Sequence, residues 1–266
     1  MTEDPRRRDL HVHTAYCNHA VGAMEEYVEA ALQKGLEEIG FLEHLETGVV
    51  YPRRTWLTPE LLDAYAAEGE TLKERYRGRI TVSLGVEVGY NPDAPEAVEA
   101  LVGRHPWDRV AVSFHFVRDP GLGRHLNICS RNDPVNVAGL LARGVREVTR
   151  HYYETLAEGV ARLRPFMVCH FDVVERNLPS VADDPDIARR IEHTLGVVKE
   201  TGACLEVNTG GYVHCGRLFP SPPILRRALE LGIPWVLSSD AHAPADVARD
   251  FDRALGEVRF LAPTEA

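Results

Sequence analysis

The sequence predicts a single α/β domain built as a closed (β/α) barrel. Three observations carry this reading. Short apolar strands and helical stretches alternate along the whole chain, and no Pro/Gly/Ser-rich linker or low-complexity segment interrupts them. The chemistry-bearing residues also fall at or just after the C-terminal ends of the strands. A parallel barrel collects those ends on one face, where residues far apart in the chain meet.

The strands are read, in order, at "DLHVH" (9–13), "EIGFLEH" (38–44), "ITVSLGVEV" (80–88), "RVAVSFH" (109–115), "FMVCHFD" (166–172), "ACLEVN" (203–208) and "WVLSSD" (235–240). Helices are expected at 24–35, 58–76, 95–103, 136–163, 185–202, 222–232 and 246–255, with a long loop over 209–221. Gly35, Gly202 and Gly232 stand where helix stops are required. Repeated strand–helix alternation implies right-handed βαβ units and a parallel sheet, and the repeat number suits a closed barrel better than a doubly wound sheet.

Composition narrows the function. The chain has 266 residues, 44% hydrophobic and 26% charged, enough to bury one large core. A net charge of −10 disfavours a nucleic-acid partner, which needs a basic face. Five scattered cysteines without a CxxC pair argue against a disulfide framework and a thiolate zinc site. No apolar run is long enough to span a membrane, and "MTEDPRRRDL" lacks the apolar segment of a signal peptide, so the expected location is the cytoplasm.

The opening stretch "DLHVHTAYCNHA" places His11, His13 and His19 close together. His11 and His13 alternate on a strand, so both imidazoles point to one face. "SSDAH" adds Asp240 and His242 at the last strand, and His44, Glu87, His115 and His170 stand at the strand ends between. A single strand-end histidine is usually structural. Seven of them with two carboxylates on one rim would repel and desolvate one another, which bound cations relieve. Imidazole and carboxylate donors without thiolate suit Zn, Fe or Mn in a catalytic site.

"HVHTAYCNH", "FLEH", "GVEV", "SFH", "CHFD" and "SSDAH", in this order, resemble the polymerase and histidinol phosphatase (PHP) superfamily over essentially the whole chain, residues 1–266. "EEYVEAALQKGLEEIGFLEH" and "NTGG…FPSP…SSDAHAP" look most like its monofunctional histidinol-phosphate phosphatases. The resemblance implies a distorted (β/α)7 TIM-like barrel with three divalent metal ions at the C-terminal ends of the strands. Carried over, His11, His13, Glu87 and Asp240 hold one ion. Glu87, His115 and His170 hold a second, with Glu87 bridging, and His19, His44 and His242 hold the third. The implied reaction is hydrolysis of L-histidinol phosphate, a small phosphorylated amino alcohol. A metal-bridging hydroxide at the Glu87 and Asp240 site would attack phosphorus in line.

Other residues carry weaker expectations. Arg217, in the 209–221 loop, is the first choice for binding phosphate, and Arg176 the second, because a guanidinium fork matches phosphate oxygens. Glu43 faces the substrate ammonium, supports a ligand, or forms a surface salt bridge. Asn208 orients substrate or satisfies a strand end, and Asp172 is a hydrogen-bond partner behind the ligands. His125 and His214 fall in loops able to line the pocket, whereas His151 and His193 sit in helices. Two rival functions stand beside the leading one: a broader phosphoesterase acting on nucleotides or nucleic-acid ends, and a non-catalytic, metal-stabilised interaction module.

Overall fold

The computed structural model describes residues 4–262. Residues 1–3 and 263–266, the ends of the expected domain and of the stretch read for a signal peptide, lie outside the described residues. Seven strands form one parallel sheet: β1 (Arg8–Val12), β2 (Glu38–Glu46), β3 (Thr81–Gly89), β4 (Arg109–Ser113), β7 (Met167–Val168), β8 (Cys204–Asn208) and β9 (Trp235–Ser238), neighbours in that order. A parallel bridge between Val12 and Ala241 brings the last strand back to the first, with His13 N–H donating to the Ala241 carbonyl at 2.9 Å. The result is a nearly closed seven-stranded barrel. Its distortion has two local sources: β7 is only two residues long, and the register of β1 against β2 shifts between Asp9 and Val12.

Each strand is followed by helix on the outer face: α1 (Met24–Gln33), α2 (Pro59–Arg75), α3 (Pro95–Val102), α5 (Val145–Leu163), α6 (Pro185–Thr201), α8 (Pro222–Glu230) and α9 (Phe251–Leu261). Proline opens α2 and α6, and the side chains of Thr58 and Asp184 accept from the first free N–H groups, satisfying donors a helix start leaves unpaired. Tyr27, Phe41, Tyr65, Tyr152 and Phe171 fill the layer between sheet and helices and are fully buried. Each such side chain contributes about 2 kcal/mol of transfer free energy. Inside the barrel a small plug of Leu42, Ala111, Met167 and Cys169 leaves the C-terminal end to polar groups.

The structure departs from the sequence reading in five places. The expected helix 136–163 is two helices, α4 (Pro134–Arg143) and α5, because Gly144 at φ 89° leaves the helical region. The last helix begins at Phe251, since Ala248 and Asp250 adopt positive φ. The strand expected over 166–172 pairs only at Met167 and Val168, so His170 and Asp172 stand beyond it. Residues 209–221 contain a short helix, α7 (Gly210–Cys215), which carries His214. Finally, an antiparallel hairpin, β5 (Phe116–Asp119) and β6 (Arg124–Asn127), rises from the end of β4, and His125 lies in it rather than in a loop. All five cysteines are free, and among the described residues no helix is long and apolar enough to cross a membrane.

Candidate metal centre

Strand periodicity decides which side chains enter the barrel. On β1 Asp9 and His11, and just past its end His13, point inward and are fully buried, while Leu10 and Val12 pack outward. On β2, His44 and Glu46 turn inward and Glu43 outward. Glu87 stands at the same level on β3, directly paired with His44 in the ladder. His115, His170, Asp240 and His242 follow the ends of β4, β7 and β9, and His19 arrives on the loop after β1. His170 and Asp240 take positive φ, 27° and 53°, which departs from the strand direction.

All nine residues meet. His11 Nε2 lies 2.9 Å from His13 Nε2, and His13 Nε2 is 3.1 Å from Asp240 Oδ1. The ligand atoms of His11, His13 and Asp240 lie within 4.8 Å of one another, as do those of His13, His44 and His242. His19 Nε2 faces His242 Nε2 at 2.9 Å. Glu87 joins the groups. Its Oε2 is 2.6 Å from His44 Nδ1 and 3.7 Å from Nε2 of both His11 and His13. Its Oε1 is 2.8 Å from His170 Nε2 and 3.3 Å from His115 Nε2.

The donor chemistry fits divalent cations. Both oxygens of Glu87 are buried without a hydrogen-bond partner among the described residues, as are Nδ1 of His13 and His44. An orphaned buried carboxylate is costly unless something positive meets it. Burial opposes its charge, but His115, His44 and His170 hold the Glu87 carboxyl well below the usual carboxylate range. Asp240 is held low in the same way by His11 and His13. Burial, and then His13, drives His44 and His242 well below the ordinary imidazole range. Burial opposes the charged form at His11, His13 and His115 too, but neighbouring anionic groups raise all three above the ordinary imidazole range. A bound metal would take the place of those protons, since it binds the anionic carboxylate and the neutral imidazole.

Three further carboxylates stand behind this ring. Glu206 on β8 accepts from His11 Nδ1 at 2.7 Å, and Glu46 lies 2.8 Å from His115 Nδ1. Asp9 accepts from Ser239 N at 3.0 Å and Ala248 N at 2.7 Å, holding the chain around Asp240. Sequence reasoning missed all three. Their signal was an acid at an inward position of an otherwise apolar strand, as in "CLEVN" and "DLHV".

Above the ring opens a cavity of about 850 Å³. His19, His44, His115, His170, Asp240 and His242 form part of its lining, and His11, His13 and Glu87 lie beneath. Arg176 lines it together with Arg53, Arg131 and Arg249, and His214 reaches it from α7. Burial and then Arg176 push the His214 imidazole down to about 4.

Arg217 does not line the cavity. Its guanidinium is 3.1 Å from Asp172 and 2.6 Å from Glu175. Asp172 is thereby spent on Arg217 and on Ser221 N, at 2.8 Å, rather than on His170. Glu43 points away from the cavity, because it alternates with His44. It is neither a surface ion pair nor positioned to meet a substrate ammonium, and its Oε1 accepts from Thr14 N at 2.5 Å. Asn208 is fully buried and donates to Glu206 at 3.0 Å and Asp240 at 3.3 Å. It serves the ring, not the cavity. His151, half-buried on α5, packs its ring edge-on against Phe114, while His193 lies on α6, as the helical reading expects.

A nearly closed parallel barrel with a histidine–carboxylate cluster across its strand ends places the chain among barrel proteins built around a metal-type centre. The family model for the PHP domain matches residues 9–210, and the chain belongs to that family. A protein of Deinococcus radiodurans named "Probable histidinol-phosphatase" is 34% identical, over 94% of this chain and 92% of its own. The histidinol-phosphatase of Bacillus subtilis is 26% identical, over 94% and 98%. The crystal structure of histidinol phosphate phosphatase from Lactococcus lactis, complexed with zinc, L-histidinol and phosphate, superposes with a TM-score of 0.76 at 21% identity, covering 96% of this chain and 92% of that one.

Proposed function

We propose that residues 1–266 form one PHP-type barrel domain acting as a metal-dependent phosphomonoesterase that hydrolyses L-histidinol phosphate to L-histidinol and phosphate. The observation that carries this is the split carboxylate of Glu87. One oxygen faces His11, His13 and His44, and the other faces His115 and His170, with no hydrogen bond to either. A carboxylate so divided suits two cations at once. His11, His13 and Asp240 complete one place, His115 and His170 another, and His19, His44 and His242 a third. Three divalent ions of zinc, iron or manganese type would supply a hydroxide nucleophile near neutral pH and neutralise the phosphoryl oxygens.

The chain's own residues bind and orient. Arg176 is the wall guanidinium best placed to take a phosphate oxygen, since Arg131 is already engaged with Asn177, Arg53 with the Asn18 carbonyl and Arg249 with Asp246. Glu46, Asp133 and Asp246 line the same cavity, each paired with a cationic or imidazole neighbour, and give the wall an acidic character toward the ammonium of an amino alcohol that Glu43 does not supply. Support for the substrate comes from relatives whose names specify it and from a cavity that carries both guanidinium and carboxylate groups.

The test is phosphate release from histidinol phosphate, nucleotides and p-nitrophenyl phosphate by zinc-loaded protein. The proposal expects kcat/KM for histidinol phosphate to exceed the others by about 100-fold or more, as when several polar contacts are lost together. Equal values across the monoesters would replace it with a general phosphoesterase, and no release from any of them with a non-catalytic module.

A further inference from the structure

We propose that Glu206 is a positioning residue that sets three of the nine ring residues through one buried carboxylate. The inference rests on the reading of His11, His170 and Asp240 as metal ligands and goes beyond it to the group that aims them. Glu206 is fully buried on β8 and does not line the cavity, so neither substrate nor solvent reaches it. Its inward direction follows from strand alternation: Glu206 and Asn208 point into the barrel, and Leu205 and Val207 away from it.

Each oxygen has a separate duty. Oε1 accepts from His11 Nδ1 at 2.7 Å. A carboxylate can only accept there, so His11 carries its proton on Nδ1 and turns the Nε2 lone pair toward His13 and Asp240. Oε2 accepts from the backbone N–H of His170 at 2.7 Å. That N–H belongs to a residue at φ 27°, just past the two-residue strand β7. Glu206 thus anchors a positive-φ turn that no ladder partner holds. The same Oε2 accepts from Asn208 Nδ2 at 3.0 Å, and Asn208 donates in turn to Asp240 Oδ2 at 3.3 Å, leaving Oδ1 toward His13.

This arrangement differs from the pairing of Glu46 with His115. Glu46 meets His115 alone, whereas Glu206 joins β1, β7 and β9 from β8. A glutamine in its place has one acceptor and one donor. It satisfies either His11 or His170, and its amide N–H then confronts the other donor.

The experiment compares wild type, Glu206→Gln and Glu46→Gln as purified full-length protein, stripped of metal and titrated with zinc by calorimetry. Cobalt(II)-loaded samples provide visible spectra and metal-free samples melting curves. Zinc affinity of Glu206→Gln should fall about 10–100-fold. The cobalt spectrum should change in intensity and position, and Glu46→Gln should alter fewer sites. Asn208→Ala, which removes only the relay to Asp240, should weaken zinc less, and adding it to Glu206→Gln should cost little more than Glu206→Gln alone. If Glu206→Gln does not fold, Asn208→Ala decides: an unchanged zinc isotherm and cobalt spectrum overturn the inference. So do wild-type affinity and spectrum in a folded Glu206→Gln. Wild-type protein that takes up no zinc at all refutes the ligand reading instead, which separates the two failures.

Discussion

The Nε2 atoms of His19 and His242 face one another at 2.9 Å although 223 positions separate the two residues in sequence. Two imidazole nitrogens this close need a proton or a cation between their lone pairs. Here the pair joins the loop after the first strand to the segment after the last. Removing metal with a chelator is therefore expected to lower the melting temperature by several degrees, and zinc to restore it, because an ion bound only by the folded ring stabilises by mass action. Coincident melting curves with and without chelator would refute this.

Glu87→Gln should keep the fold and lose the chemistry. The amide cannot supply two anionic oxygens to two sets of imidazoles. Phosphate release is expected to drop about 100-fold or more, with a parallel fall in bound metal measured by elemental analysis. Near-wild-type turnover at full metal content would show that Glu87 is not the bridge.

Arg176 and Arg217 should separate in a kinetic comparison. Arg176 lines the cavity, so Arg176→Ala is expected to raise KM about tenfold through loss of a charge-assisted contact to phosphate. Arg217 is bound to Asp172 and Glu175, so Arg217→Ala should act on stability and leave KM near its original value. The reverse result would return Arg217 to the substrate.

The Asp172–Arg217 pair also has a pH signature. Burial raises the Asp172 carboxyl from 3.8 to about 6, even though Arg217 pulls it down. A carboxyl raised on folding binds its proton more tightly in the native state. Its contribution to stability is therefore fully present below about pH 4 and declines as pH rises through 6. Without Arg217 the ionised form has lost its partner. Arg217→Ala should cost on the order of 3 kcal/mol at pH 8 and clearly less at pH 5, by urea denaturation. A penalty independent of pH would mean that Asp172 is not the group responsible.

Gly85→Ala tests the packing beneath the centre. A Cβ at this position would stand 2.2 Å from the Arg109 carbonyl oxygen, across the β3–β4 ladder and two residues below Glu87. Backbone cannot yield as a side chain does, so the substitution is expected to destabilise by about 3 kcal/mol or more. A melting temperature within a degree of wild type would refute the close approach.

The seven strands and the ring were legible because each left a short-range mark: an apolar run, and a polar residue at its end. The breaks at Gly144 and before Phe251 were not, because helical periodicity continues across both and only backbone conformation records the interruption. The hairpin after β4 was hidden by charged and polar residues, such as Arg118 and Arg124, that weaken strand alternation. For Glu43, alternation with His44 was visible in "FLEH", and applying it would have turned that side chain away from the cavity. Arg217 is different. Only the folded chain brings Asp172 and Glu175 to its guanidinium, so a rim arginine and an engaged one read alike in sequence.

Closure of the barrel through Val12 and Ala241 gives the centre an order of assembly. Synthesis runs from β1 to β9, so a nascent chain that ends before Trp235 already carries His11, His13, His19, His44, Glu87, His115 and His170 but lacks Asp240 and His242. In such a chain both β1 and β8 would be open sheet edges, which pair readily with other chains. Arrival of the last strand therefore covers both edges and completes the ring in one event, and a chain stalled short of it would be an open six-stranded barrel with adhesive edges and a ring lacking Asp240 and His242.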